Sequence, residues 1–336
     1  MNVPVRYDFS VNLNPLGIPA AVRRYLENES VADAQRYPDR QCGKLREMLA
    51  QTYGLAKEQI LCGSGASALL SAAVQAVRPE KALITAPSFS GYAYALRTAG
   101  TRAEYCPLLR EEDFAFSERI LQAIENRPEI VILCSPNNPV GNLIPQPLLR
   151  RIADACEEQG TLLLLDECFL PFVSDEKAAT FLSEINARPH LLVLRAFTKE
   201  YAMPGLRLGW LAGRDTDLLA RIAAQMPEWS VSSIAQEAGI RALSEKEYGR
   251  RAWPLLDAER SYLREELAGL GCRVYPSVAN FLMFSAQPGL KEKMLARGIL
   301  IRSCADFEGL TDGDYRIAVR THEENEILIR TLMRVI

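Results

Sequence analysis

Residues 130–169 read IVILCSPNNPVGNLIPQPLLRRIADACEEQGTLLLLDECF. Two apolar runs, 130–134 and 161–165, show no polar alternation, the pattern of strands covered on both faces. Between them, 146–159 repeats its apolar residues at helical spacing and turns Arg and Glu the other way. Strand, helix and strand in this order predict parallel neighbours in one sheet. Polar residues close each run: Ser135-Pro136-Asn137-Asn138-Pro139-Val140-Gly141 after the first, Asp166-Glu167 after the second. α/β proteins place their ligands at such carboxyl ends.

The alternation continues in both directions. Further strands are predicted over 59–62, 81–86, 102–106, 191–194 and 206–212, with helices over 66–77 and 90–99. Beyond about residue 230 the pattern changes. Residues 230–268 are helix-rich. Short strands follow at 272–275, 279–284, 299–302 and 315–319, with helices near 289–296 and from 323. This reads as a smaller α+β unit. The expected organisation is an N-terminal arm over 1–35 packed with the small domain, a large α/β domain over 36–229 and a small domain over 230–336.

Composition removes several classes. The chain has 336 residues, 48% hydrophobic and 24% charged, which excludes a disordered or low-complexity protein. Its formal net charge is −3 and no long basic run occurs, so no nucleic-acid partner is expected. No stretch approaches the ~18 unbroken apolar residues of a membrane span, so no membrane partner is expected either. Two histidines, His190 and His322, argue against a multi-histidine metal centre and leave few ways to build a Ser-His-Asp site, and no metal is expected. Eight scattered cysteines without a C-x-x-C pair read as reduced thiols of a cytoplasmic protein.

Four motifs remain to carry chemistry. Gly63-Ser64-Gly65-Ala66-Ser67-Ala68 follows a strand and opens a helix, where free N–H groups and the dipole favour a phosphate. It also matches G-x-G-x-x-G/A, but the next strand ends Thr85-Ala86-Pro87, without the acid that a nicotinamide dinucleotide needs. The Asn137-Asn138 turn and Asp166 close their strands. A buried Asp at a strand tip needs a cation or hydrogen-bond donors, and a protonated heterocycle would suit it. Lys199 follows the strand LLVLRAF and Arg207 lies eight residues on. The lysine could form a Schiff base and the arginine could hold a phosphate. Each motif alone also fits a plain turn, a capping acid or a solvated charge.

In this order the motifs resemble the fold-type-I pyridoxal-phosphate enzymes, the aspartate-aminotransferase superfamily, from about Tyr7 to the C-terminus. The resemblance implies a mostly parallel seven-stranded-type sheet with a smaller α+β C-terminal domain. It implies pyridoxal 5'-phosphate as cofactor, bound to Lys199 as a Schiff base, with Asp166 keeping the ring nitrogen protonated. Asn138 would bond the phenolic oxygen and Phe89 would stack on the ring. Gly65, Ala66, Ser67, Thr198 and Arg207 would hold the phosphate. Tyr37 would reach the cofactor of a second subunit, which implies a homodimer with shared sites. Phe169 and Ala196 stand where many members carry Tyr and Ser.

Within the superfamily the chain is similar to the histidinol-phosphate aminotransferase subgroup, and most similar to its threonine-phosphate decarboxylase branch. The strings DFSVNLNPLG (8–17), DECF (166–169), IRSC (301–304) and YRIAVR (315–320) carry that likeness. It implies a small phosphorylated amino-acid substrate held by Asn12, Asn138, Arg302 and Arg316, with lyase chemistry serving cobalamin synthesis. The His-Gly-Gly segment that precedes this region in the decarboxylase is absent here, which leaves threonine phosphate, serine phosphate and another phosphorylated or acidic amino acid open. Transamination of the histidinol-phosphate type is the alternative. The same Lys199 and Asp166 serve both reactions, and the bond held perpendicular to the ring decides between them. A regulatory protein carrying this fold is a distant third reading, because the sequence before residue 36 is shorter than a winged-helix domain.

Overall fold

The computed structural model of the chain describes residues 4–336, so the first three residues of the predicted arm lie outside it. After a short strand β1 (Tyr7–Asp8) come β2 (Ile60–Gly63), β3 (Lys81–Ala86), β4 (Arg102–Pro107), β5 (Ile130–Cys134), β6 (Leu162–Asp166), β7 (Leu191–Ala196) and β8 (Gly209–Gly213). These last seven form one sheet in the order β2-β8-β7-β6-β5-β3-β4. All its pairings are parallel except those of β8, which runs antiparallel to both β2 and β7. Strand order reverses between β3 and β5, since β4 lies beyond β3 on one side and β6 beyond β5 on the other. A crevice opens at the carboxyl ends of the strands at such a point.

Strand residues alternate between two apolar layers. Val131, Leu133, Leu163, Leu165 and Val193 face the helix Gln146–Gln159 through Leu149, Ile152 and Cys156. Ile130, Ile132, Leu162, Leu164 and Leu192 face the helices Ala66–Val77 and Ser90–Thr98 through Leu70, Ala73 and Leu96. Being covered on both faces is the physical reason these strands read as unbroken apolar runs. All eight cysteines are free and buried, as small apolar fillers.

The C-terminal sheet has the order β12-β13-β10-β9, made of β9 (Arg273–Val274), β10 (Phe281–Ser285), β12 (Arg302–Ser303) and β13 (Asp314–Ala318). The strand β11 (Ile299–Leu300) pairs with β1 instead. A second core gathers Phe281, Phe284, Ile317, Leu256, Leu263 and Leu328 around the 22-residue helix Tyr248–Gly269. The N-terminal segment spans both cores. Phe9 lies in the C-terminal one, while Val22 and Tyr25 lie in the core of the large sheet. The helix Ser233–Ser244 also joins the large-sheet core, through Ala235, Ala238 and Ala242. Between these anchors the segment crosses the strand ends: the Asn14 N–H donates to the Lys199 carbonyl at 3.1 Å, and Asn14 Nδ2 donates to the Glu200 carbonyl at 2.9 Å. Among the described residues no helix is long and apolar enough to cross a membrane.

Candidate active site

The loops leaving β2, β3, β5, β6 and β7 converge with β12, β13 and the N-terminal segment on one cavity of about 270 Å³. Ala66, Ser67, Phe89, Asn138, Asp166, Thr198, Lys199 and Arg207 line it from the large sheet, and Asn12, Arg302 and Arg316 close it from the other side. Chain positions as far apart as Asn12 and Arg316 thus meet where strand order reverses.

Lys199 stands in the one-turn helix Phe197–Glu200 directly after β7. Burial, reinforced by the charges of Arg316 and Arg207, pushes its ammonium from 10.5 down to about 8. Asp166 ends β6 opposite Cys134 of β5 and is 7% exposed. Its Oδ2 accepts from the Tyr92 hydroxyl at 2.7 Å and its Oδ1 from the Cys168 N–H at 2.9 Å. Burial raises this carboxyl, and the Cys168 and Tyr92 hydrogen bonds only partly offset that. Glu167, the next residue, turns to the opposite side. There it accepts from the Phe181 N–H at 2.7 Å and pairs with the buried Arg195 at 2.7 Å. The Asp-Glu pair therefore divides into one acid for the cavity and one for the scaffold.

Arg207, with φ +55°, lies against the start of the helix Ala66–Val77. A Cβ on Gly65 would stand 2.8 Å from Arg207 Nη2, so only glycine lets the guanidinium come this close. A cation at the positive end of a helix is favourable only with an anion between them. On the opposite wall, Arg302 and Arg316 are directly paired in the β12–β13 register. Arg316 is 8% exposed and donates to Asn138 Oδ1 at 2.5 Å and to the Ser10 carbonyl at 2.9 Å. Because a guanidinium only donates, Asn138 presents its oxygen to Arg316 and keeps its amide N–H groups for another acceptor. Burial, with Arg302 adding like charge, lowers Arg316 to about 10. Arg302 is bound by Asp306 at 2.6 Å and lies over the Phe307 ring at 5.2 Å.

Tyr37 stands apart from the cavity: it is 86% exposed, with its ring 5.3 Å from that of Trp229. Phe169 lies beneath the lysine, its ring centroid 6.0 Å from Lys199 Nζ, and packs edge-on against Phe281. Sequence reasoning missed Tyr92, Cys134, Cys168 and Phe307. Tyr92 carried a signal, since it follows Phe89 by three residues, one turn into a helix.

These residues fit pyridoxal phosphate. Asp166 is a buried acid with only neutral donors and needs a cation, which a protonated ring nitrogen supplies. Arg207 and the helix start need an anion, which a phosphate supplies. The oxygen Asn12 Oδ1 is buried without a partner at the cavity wall. Among the described residues no cluster of metal-ligating side chains occurs.

The profile of the family described as aminotransferase class I and II matches residues 6–332. A threonine-phosphate decarboxylase of Salmonella typhimurium is 35% identical, over 98% of this chain and 91% of that protein. A histidinol-phosphate aminotransferase of Methanosarcina mazei is 34% identical, over 95% of this chain and 85% of that protein. The crystal structure of a histidinol-phosphate aminotransferase from Clostridium acetobutylicum superposes with a TM-score of 0.91 at 29% identity, covering 98% of each chain. Profile, fold and the charges waiting in the cavity agree: the chain belongs to the aminotransferase class I and II family and is a pyridoxal-phosphate-dependent enzyme.

Proposed function

We propose that this enzyme decarboxylates a small phosphorylated amino acid: O-phospho-L-threonine to 1-aminopropan-2-ol O-phosphate, or O-phospho-L-serine to ethanolamine phosphate, for assembly of the cobalamin nucleotide loop. One observation carries the reading. Arg302 and Arg316 stand side by side in register, and Arg316 is buried with only neutral partners. A buried guanidinium without a carboxylate is costly until an anion arrives. Arg316, with the partly exposed Arg302 beside it, suits a substrate with two anionic ends, a carboxylate and a phosphate. The 35% identity to the Salmonella decarboxylase supports the same reading.

The bound cofactor supplies an electron sink for the pair left on the substrate Cα. The chain supplies the rest. Asp166 holds a proton on the ring nitrogen, with Tyr92 and Cys168 fixing the carboxylate. Burial and the charges of Arg316 and Arg207 lower the Lys199 ammonium, so Nζ would be the amine that holds the cofactor and would carry protons. Phe89, on the cavity wall, would hold the ring by stacking. Arg207, Thr198 and the Gly65-Ala66-Ser67 helix start hold the phosphate. Asn12, Asn138, Arg302 and Arg316 orient the substrate.

We place the enzyme in the cytoplasm as a homodimer. The eight free buried thiols support the first statement, and the outward Tyr37, held on Trp229, supports the second. Incubation with each phosphoamino acid, with and without 2-oxoglutarate, tests the reaction. CO₂ release independent of the keto acid is the expected result. A strict requirement for the keto acid selects the second reading, an aminotransferase of the histidinol-phosphate type. The 34% identity to the Methanosarcina enzyme favours that alternative.

A further inference from the structure

Arg302 and Arg316 are held in different ways. Arg316 is locked by burial between two neutral acceptors. Arg302 is a third exposed at the cavity mouth, on a strand of two residues, and nothing in its own strand fixes its long side chain. Left alone, such an arginine loses rotamer freedom on binding an anion, at a cost in affinity. Two neighbours remove that freedom. Asp306 accepts from Arg302 Nη2 with both carboxylate oxygens, at 2.8 and 2.6 Å. Phe307 lies under the guanidinium at 5.2 Å. Of these three residues, Arg302 and Phe307 line the cavity and Asp306 does not. The carboxylate engages one terminal nitrogen and makes no bond to Nε or Nη1, which keep their donors.

We propose that Asp306 is a positioning residue: it fixes the Arg302 guanidinium on Phe307 and presents Nε and Nη1 to the second anionic group of the substrate. This deepens the proposed function and rests on it. The turn carrying both holders is itself anchored, since the Cys304 N–H donates to the Asp314 carbonyl at 2.8 Å and the Phe307 N–H to the Cys304 carbonyl at 3.0 Å. Asp306 therefore acts from a fixed platform, as the outer partners of ligand-binding side chains do.

The test uses the cofactor-loaded enzyme and four variants: Asp306→Ala, Asp306→Glu, Arg302→Ala and the double variant. Two readouts are taken, KM and kcat with the phosphoamino acid, and the calorimetric affinity of 3-phosphoglycerate. That probe carries both anions but no amine, so it binds without reacting. In Asp306→Ala, KM and the probe dissociation constant are expected to rise roughly tenfold while kcat stays within about twofold. Asp306→Glu recovers part of the loss, and the double variant is no worse than Arg302→Ala alone. Unchanged or tighter probe binding in Asp306→Ala overturns the proposal, because the acid would then be idle or a competing countercharge. Additive losses in the double variant overturn it as well. If Arg302→Ala itself leaves the probe affinity intact, the substrate reading of the site fails first, and the two failures are told apart.

Discussion

Arg195 and Arg316 are both buried, at 2% and 8% exposure, but the chain treats them oppositely. Arg195 sits on β7 between Glu167 at 2.7 Å and Glu176 at 2.5 Å. Burial alone would lower its guanidinium, but the two carboxylates outweigh it and the group is raised. Arg316 sits on β13 with an amide oxygen and a peptide carbonyl. There burial wins, and the group falls to about 10. The acids of β6 repeat the contrast: Glu167 is neutralised by Arg195, whereas Asp166 has only neutral donors. A buried charge that the chain neutralises itself belongs to the scaffold. A buried charge left with neutral partners is reserved for a ligand of opposite sign.

Substituting the two members of each pair is the way to break this contrast. Asp166→Ala should cost about a thousandfold or more in kcat, a loss on the scale of removing a main electrostatic contact to the reacting system, while the fold persists. Glu167→Ala should instead unfold at lower urea concentration, because Arg195 loses the more deeply buried of its two counter-ions. A normal rate in Asp166→Ala would show that the acid does not serve the ring. Next in size, Arg316→Ala should raise KM by roughly a hundredfold, in line with about 2–5 kcal/mol for truncating a buried charged contact, and leave the urea midpoint nearly unchanged. Arg195→Ala should lose about 3–5 kcal/mol of stability by stranding Glu167. Equal destabilisation by the two arginine variants would erase the distinction.

Much of this arrangement was legible in the residues. The bounds of Gln146–Gln159 and Ile130–Cys134 follow from apolar spacing and from Pro and Gly at the helix ends. Lys199, Asp166 and Asn138 stand out because each ends or follows such a run, and Arg207 because it lies eight residues after the lysine. The antiparallel course of β8 was not legible, since an apolar run carries no direction. Arg195 hid inside an apolar run, its two acids 28 and 19 positions away. Tyr92 meets Asp166 across 74 positions, a contact only the folded sheet creates.

The smallest expected effect concerns pH. In the cofactor-free protein the Lys199 ammonium, at about 8, lies below its ordinary 10.5. Between these values the unfolded chain binds more protons, so this group contributes stability that rises with pH. Its cost is fully present below pH 8 and fades toward 10.5. Lys199→Met should therefore be more stable than the parent at pH 8, with the gap narrowing by pH 10 in urea titrations. A gap that widens with pH would mean that the amine is not buried among positive charges.

One amine, Lys199 Nζ, anchors the whole site. Borohydride reduction of the cofactor-loaded enzyme, followed by proteolysis and mass spectrometry, should place one pyridoxyl group on Lys199, and Lys199→Ala should carry none and turn over no substrate. An adduct on a different lysine, or turnover surviving in that variant, would contradict the assignment of the site.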